Sequence, residues 1–270
     1  MKEAKDFLKE STQIFDLMKN RPEKDFFIRT QFKNWSINDV IGHLHLFNFA
    51  ANLSLKSPDH FQKKFFLIFK NFKNGQNILE PQGKWLKGLS GNALLEAWWL
   101  QVKRVTETFE KANPKSRVKW VGPEMSARSS ITARQMETWA HGQEIFDVLG
   151  KVRVESDSIK NIVHLGVSTF AWTFFNRDLT PPDEIPFIEL ESPSGIMWKW
   201  NNPSRSSKIS GKATEFASVV TQTRNIKDTN LRVVGNTASQ WLSIAQCFAG
   251  PPENPPKPGT RKITLYKEKV

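Results

Sequence analysis

The stretch ARQMETWAHGQEIFDVLG, residues 133–150, has the apolar periodicity of an amphipathic helix that ends at a glycine, a common residue after a helix C-terminus. Each residue advances a helix by about 100°, so relative to Glu137 the side chain of His141 lies about 40° away and that of Val148 about 20° away. The carboxylate and the imidazole therefore share the apolar stripe. Because burial of an isolated carboxylate costs several kcal/mol, Glu137 needs a partner, and a cation is one such partner.

A second helix with a polar residue on its core face is predicted in NWSINDVIGHLHLFNFAANLSL, residues 34–55. Relative to His43, Phe47 lies about 40° away on the helical wheel, whereas His45 lies about 200° away. His43 is therefore predicted to lie on the core stripe, and His45 is predicted to point elsewhere.

These two helices together predict a metal site. Two neutral imidazoles and one carboxylate are a common set of zinc ligands, and His43, Glu137 and His141 supply that set. Three protein ligands leave a position open to water or substrate, and the residual charge of about +1 favours an anionic ligand such as a thiolate or a carboxylate. Asp39 and Glu144, at the borders of the two core faces, could supply an extra ligand.

The same residues have simpler interpretations. A core histidine is most often satisfied by a hydrogen bond, and a glutamate and a histidine four residues apart can form an ion pair. Arg134, one turn before Glu137 and about 60° from it on the wheel, could itself neutralise the carboxylate. The spacing therefore predicts a metal site without excluding a purely structural cluster.

Composition limits the other possibilities. Of the 270 residues, 39% are hydrophobic, which suffices for a packed core, and no run of about 18 apolar residues predicts a transmembrane helix. The single cysteine, Cys247, rules out an internal disulfide and a cysteine zinc site. The charged N-terminus has no apolar signal segment, and together these features predict a cytoplasmic protein. The net charge of +12 comes from scattered lysines, which favours a solvated basic surface over nucleic-acid or membrane binding.

The first half of the chain predicts a helical bundle, because several long helices follow one another with moderate links. The expected helices are residues 3–19, a helix that begins at a capping box of Ser36 and Asp39, one from Pro58 to Gly75, residues 92–112, and one from Ser129–Ser130 to Gly150.

After residue 150 the pattern mixes helices and strands. The expected elements are a helix over 156–177, two strands within 185–200 joined by a Ser-Pro-Ser-Gly turn, a strand at 207–211, a helix at 212–224, a strand at 230–234 and a helix at 238–250. The fold class is therefore α+β. The predicted domains are a helical bundle at 1–152, a smaller α/β domain at 153–250, and an extended, exposed proline-rich tail at 251–270.

Two segments resemble a known family. NWSINDVIGHL and METWAHGQEIFDVLG resemble the metal-binding bundle of the DinB/YfiT-like superfamily, and more narrowly its mycothiol-dependent maleylpyruvate isomerase branch. A bacterial subgroup of that branch, some of whose members have carried the label wyosine base formation, shares ARQMETWAHGQ, VHLGVSTFAWTFFNR, SGKATEFASVVTQTR and WLSIAQCFAGPP in this order. The resemblance covers nearly the whole chain.

The resemblance implies an N-terminal DinB-like bundle that holds a divalent metal, typically zinc, at the positions of His43, Glu137 and His141. It also implies a C-terminal domain similar to sterol carrier proteins. In the isomerases an arginine of that domain contributes to catalysis, and Arg224, after VVTQT, is the nearest candidate.

The leading hypothesis is a metal-dependent, zinc-type enzyme that activates a low-molecular-weight thiol for isomerisation or S-transfer on a small electrophilic substrate. Its expected partners are the thiol and a small organic molecule. The alternative is a non-catalytic module that binds a metal or a ligand. A third hypothesis, tRNA modification, rests on the label of the subgroup and on the positive charge, and it lacks the interleaved aromatic and arginine residues that single-stranded RNA binding favours.

Overall fold

The computed structural model describes residues 1–73, 77–120 and 124–264. Its contacts divide the chain into two units, one of Met1–Val148 with Ala249–Pro251 and one of Leu149–Phe248 with Pro252–Val270. The predicted domain limits at residues 152 and 250 stay a prediction. Within the described ranges, no helix combines the length and the apolarity that crossing a membrane requires.

The first unit is a bundle of helices. Its helices are α1 (Lys2–Met18), α2 (Ile37–Lys56), α3 (Pro58–Lys73), α4 (Leu79–Leu86), α5 (Gly91–Lys111) and α6 (Ala127–Val148). Four of them close a ring: α1 packs against α5 and α6, and α2 packs against the same two helices, while α3 and α4 pack on α2. A short ribbon pairs β1 (Arg117–Val118) with β2 (Met125–Ser126) before α6. This arrangement confirms the predicted bundle.

The two helices of the predicted metal site begin and end at the expected signals. Ser36 caps α2, since its hydroxyl accepts a hydrogen bond from the Asp39 backbone N–H at 3.0 Å and the Asp39 carboxylate accepts one from Ser36 N–H at 2.8 Å. After α6, Gly150 has a φ of 63°, the left-handed conformation of a glycine that follows a helix C-terminus. The predicted end of the third helix, Gly75, lies outside the described residues.

Among its described residues, the second unit combines four helices with one sheet. Its elements are α7 (Lys160–Ser168), α8 (Phe170–Phe175), β3 (Phe187–Glu191), β4 (Met197–Trp200), β5 (Lys208–Lys212), α9 (Ala213–Val220), β6 (Arg232–Val234) and α10 (Asn236–Ile244). The strand order is β4-β3-β5-β6, with β3 and β5 parallel and the other pairs antiparallel. Trp241 of α10 contacts the ring edges of Phe170 and Phe216 in the core. The α+β fold class is thus confirmed.

Three predicted helices of this unit are longer than those in the structure, and one of them, expected at 212–224, ends at Val220. The helix expected over 156–177 is interrupted at Thr169, whose hydroxyl donates to the carbonyl of Leu165 at 2.8 Å and which separates α7 from α8. The helix expected to reach Gly250 ends at Ile244. The next amides donate elsewhere, because Cys247 N–H bonds to the carbonyl of Val220 at 2.9 Å.

The described part of the proline-rich tail has no helix or strand and no buried residue, as predicted, and hydrogen bonds anchor it to the rest of the second unit. Gln222 donates to the carbonyl of Glu253 at 2.8 Å, and Asn225 donates to that of Pro256 at 2.8 Å. Arg261 donates in turn to the carbonyl of Gln222 at 2.6 Å. Because proline carbonyls and nearby backbone groups still accept hydrogen bonds, a proline-rich composition does not by itself leave a segment free in solvent.

Candidate metal centre

Three side chains meet between α2 and α6. His43 of α2 and Glu137 and His141 of α6 each offer a ligand atom, and these atoms all lie within 4.8 Å of one another. Glu137 Oε2 is 3.6 Å from His43 Nε2 and 3.5 Å from His141 Nε2. The four-residue spacing places Glu137 and His141 on one face of α6, and the packing of α2 on α6 brings His43 to that face. The role of these residues as ligands stays a prediction.

The distances from Glu137 to the two imidazoles are compatible with donor atoms that share one ion. Good N–H···O hydrogen bonds are about 2.7–3.2 Å long, shorter than both carboxylate–imidazole distances. Two donors on a tetrahedral zinc ion, each roughly 2.0–2.1 Å from it, stand roughly 3.3 Å apart. His43 Nδ1 is buried without a hydrogen-bond partner among the described residues, so those residues do not supply the contact that usually orients the ring of a metal-bound histidine.

The protonation states of the triad side chains also suit the binding of a cation. Burial lowers the pKa of His43 to about 4, although the neighbouring Glu137 opposes this shift. Burial alone would raise the pKa of Glu137, but the imidazoles of His141 and His43 and the charge of Arg134 lower it well below its usual value. A neutral imidazole and an ionised carboxylate are the forms that bind metal.

Aromatic rings surround the two imidazoles. The Phe47 ring centroid is 4.6 Å from that of His43, and the Phe32 centroid is 5.0 Å from that of His141. Trp35 contacts both, with centroid distances of 5.3 Å to His43 and 6.0 Å to His141, the latter in a stacked arrangement. The side chain of Glu137 keeps 23% of its surface exposed, so a small molecule can reach this edge of the triad.

The turn before α2 places two of these rings, although the sequence patterns did not predict this turn. Thr30 N–H donates to the Trp35 carbonyl at 2.7 Å, and Trp35 N–H donates to the Phe32 carbonyl at 2.9 Å. Lys33 and Asn34 have φ values of 48° and 58°, a left-handed pair that reverses the chain. A signal was present, since Trp35 directly precedes the cap of α2, where an apolar residue often packs against the helix.

Arg134 does not neutralise Glu137 by direct contact. Its Nε donates to Asn48 Oδ1 of α2 at 3.0 Å, and among the described residues no ion pair within 4.0 Å joins it to Glu137. Arg134 is only 3% exposed, and burial lowers its pKa to about 10 against the opposing charge of Glu137. Arg134 therefore acts on the carboxylate through its charge, which lowers the pKa of Glu137, and not through a direct ion pair; its hydrogen-bond partner is Asn48.

The two proposed extra ligands do not join the triad within the described ranges. Asp39 accepts from the cap residue Ser36 and pairs with Arg29 at 3.4 Å. Glu144 is buried in α6 but lies two turns, or roughly 10 Å, beyond Glu137 along the helix axis.

The predicted catalytic residue of the C-terminal region, Arg224, belongs to the second unit. It follows α9, is half-buried, and donates from Nη1 to the carbonyl of Thr223 at 2.9 Å. Its catalytic role stays a prediction.

The chain is similar to a known protein family and to two mycobacterial proteins. Residues 7–146 match the family model described as the mycothiol maleylpyruvate isomerase N-terminal domain. The uncharacterized proteins MT0041 and Rv0036c, from two strains of Mycobacterium tuberculosis, are each 34% identical to the chain over 247 residues, which is 92% of this chain and 95% of the relative.

Solved structures agree in fold. The mycothiol-dependent maleylpyruvate isomerase aligns with a TM-score of 0.51 at 13% identity, and a histidine-to-alanine mutant of that enzyme aligns with a TM-score of 0.50 at 14% identity. Each alignment covers 81% of this chain and 85% of the isomerase chain. The matched segment of the family model contains all three residues of the triad, and the chain belongs to the mycothiol maleylpyruvate isomerase N-terminal domain family.

Proposed function

We propose that this protein is a zinc-dependent enzyme that activates a low-molecular-weight thiol for isomerisation or S-transfer on a small electrophilic substrate. The observation that carries the proposal is the convergence of His43, Glu137 and His141 into one group with three ligand atoms and a partly exposed edge. Membership of the family supports a thiol as the co-substrate, because the solved isomerases of similar fold are mycothiol-dependent.

The side chains of the triad suit a reactive site more than a closed structural one. His43 and His141 offer neutral nitrogen donors and Glu137 one anionic oxygen, a set that leaves a fourth position open on a tetrahedral ion. When bound, zinc supplies the Lewis acidity that lowers the pKa of a coordinated thiol, so that the nucleophilic thiolate exists near neutral pH. With one carboxylate against a divalent ion, the group keeps a charge of about +1, which attracts an anionic thiolate.

The surrounding rings orient the donors and limit water. Trp35 and Phe47 pack against His43, and Phe32 and Trp35 pack against His141, so that both imidazoles are held in place by contacts on their faces and edges. An apolar rim weakens the competition of water for charged groups inside it. Glu137, the most exposed of the three ligands, marks the direction from which a thiol can enter.

Substitution of the histidines tests the proposal. His43→Ala and His141→Ala should each lower zinc content from one ion per chain to background, measured by elemental analysis, and should abolish the binding of mycothiol or N-acetylcysteine in calorimetry. His60→Ala is the matched control, since His60 is exposed on α3. Stoichiometric zinc and undiminished thiol binding in both triad variants would refute the proposal.

A non-catalytic metal clamp is the competing function, because the three ligands come from two helices that already pack together. Zinc would then cross-link α2 and α6 and raise stability without further chemistry. Titration of zinc into the metal-free protein separates the two: a large rise in the unfolding temperature without affinity for any thiol or organic anion favours the clamp.

A further inference from the structure

Two buried polar side chains beside the triad have N–H groups without acceptors. Arg134 of α6 is 3% exposed and Asn48 of α2 is fully buried, and they are joined by the hydrogen bond from Arg134 Nε to Asn48 Oδ1 at 3.0 Å. Arg134 Nη2 and Asn48 Nδ2 are both buried and have no hydrogen-bond partner in the part of the chain that the structure describes. Two donors from two facing helices, on side chains that share a hydrogen bond, therefore lack an acceptor among the described residues.

This pair is unfavourable as it stands. A guanidinium stays charged near neutral pH, and burial of that charge is unfavourable unless opposite charges and hydrogen bonds compensate for it fully. Within the described residues, the hydrogen-bond partner of Arg134 is a neutral amide, and the nearby Glu137 already faces the imidazoles of His43 and His141. Departures of this kind from the rule of satisfied buried groups concentrate at functional sites.

The pair adjoins the triad. The Arg134 guanidinium carbon is 5.8 Å from the ring centroid of Phe47, and that ring lies 4.6 Å from the ring of His43. Arg134 is also one helical turn before Glu137 on α6. The pair of Arg134 and Asn48 therefore lies beside the triad.

We infer that Arg134 and Asn48 form a subsite for a small organic carboxylate. One carboxylate oxygen pair can accept from Arg134 Nη2 and Asn48 Nδ2 together, which satisfies both donors and neutralises the buried charge. The identification of this anion as part of the reacting molecule, either the substrate or a carboxylate-bearing thiol, rests on the proposed function. Binding of the carboxylate itself requires neither the metal nor the thiol.

Calorimetry and thermal unfolding of the full-length, metal-free protein test this subsite. Sodium succinate and sodium acetate are the probes, and sodium chloride at equal ionic strength is the reference. We expect a saturable rise in the unfolding temperature with the carboxylates alone. Arg134→Met should weaken succinate binding at least about tenfold, since it removes a charge-assisted hydrogen bond. Arg128→Met, on the same helix with a 60% exposed side chain, is the matched control and should bind succinate as the wild type does.

A second variant keeps the test decisive if Arg134→Met fails to fold. Asn48→Asp places a carboxylate on Arg134 from within the chain, so it should match or exceed the stability of the wild type and lose the response to succinate. Unchanged succinate binding in Asn48→Asp, no carboxylate response in the wild type, or an equal response to sodium sulfate would overturn the inference. If zinc and thiol binding are absent while carboxylate binding is observed, the proposed function is rejected and the carboxylate subsite is retained.

Discussion

His43 Nε2 on α2 lies 3.6 Å from Glu137 Oε2 on α6, across the contact between two neighbouring helices of the bundle. The two atoms are too far apart for a good hydrogen bond and at a spacing that two ligands of one ion adopt. An ion held by both side chains, as the proposed function requires, would link α2 to α6 at this point.

Removal of metal should therefore loosen the bundle. Zinc that binds only the folded state stabilises it by about 4 kcal/mol when its free concentration is 1,000 times the dissociation constant. We expect zinc to raise the unfolding temperature of the chelator-treated protein, and His43→Ala to abolish that rise. Circular dichroism with and without zinc measures both. An equal zinc-dependent rise in His43→Ala would show that the ion binds elsewhere.

Trp35 should matter for stability and for the triad together. It is 7% exposed and packs against both imidazoles, so Trp35→Ala leaves a cavity that costs about 3–5 kcal/mol in the free energy of unfolding. Because the cavity borders His43 and His141, zinc affinity should fall as well. Urea unfolding measures the loss of stability, and a zinc titration measures the loss of zinc affinity. Trp99→Ala, which removes a half-buried tryptophan of α5, is the control and should leave zinc affinity unchanged.

The sequence predicted the triad because each of its residues lies on a regular helix whose start or end carries a local signal. The capping box at Ser36 fixes the register of α2, and the glycine at 150 marks the end of α6, so the wheel positions of the ligands follow from periodicity. Phe32 and Asn48 were missed for two different reasons. Phe32 is placed by a left-handed turn that contains no glycine. Asn48 lies about 140° from His43 on the helical wheel, and its role follows from a tertiary contact with Arg134.

The need for tertiary contacts also explains which elements of the second unit the sequence predicted. The hairpin of β3 and β4 was predicted from its turn residues, and Gly195 has the expected positive φ of 84°. The end of α10 at Ile244 was not predicted, because the following amides donate to Thr173 and Val220, which are distant in sequence.

In the first unit, the eight-residue α4 was not predicted, because it contains Pro81 and Gly83, residues that usually indicate a loop.

Asp157 should give the second unit a pH-dependent contribution to stability. Its carboxylate accepts from the Ser194 hydroxyl at 2.6 Å and from the Ser194 backbone N–H at 3.1 Å, and these bonds lower its pKa below the usual value. A carboxylate with a lowered folded-state pKa stabilises the protein fully above its unfolded pKa, about 3.9, and loses that contribution as the pH falls through the folded value. The urea midpoint of Asp157→Asn should therefore be lower than that of the wild type at pH 7, with a difference that shrinks below about pH 4. A difference that stays constant down to pH 2.5 would contradict the assignment.

Ser36 links the cap of α2 to the position of His43. Loss of an N-cap hydroxyl costs about 1 kcal/mol, so Ser36→Ala should lower the free energy of unfolding by that amount, whereas Ser36→Thr, which keeps the hydroxyl, should lower it by less. The cap also follows the turn that places Trp35 over the imidazoles, so a frayed first turn of α2 loosens the ring contacts of the triad. Zinc affinity, measured by competition with a chelating dye, should therefore fall in Ser36→Ala and be retained in Ser36→Thr. Equal zinc affinity in the alanine variant would mean that the triad is held by the packing of α2 and α6 alone, with no contribution from the capped turn.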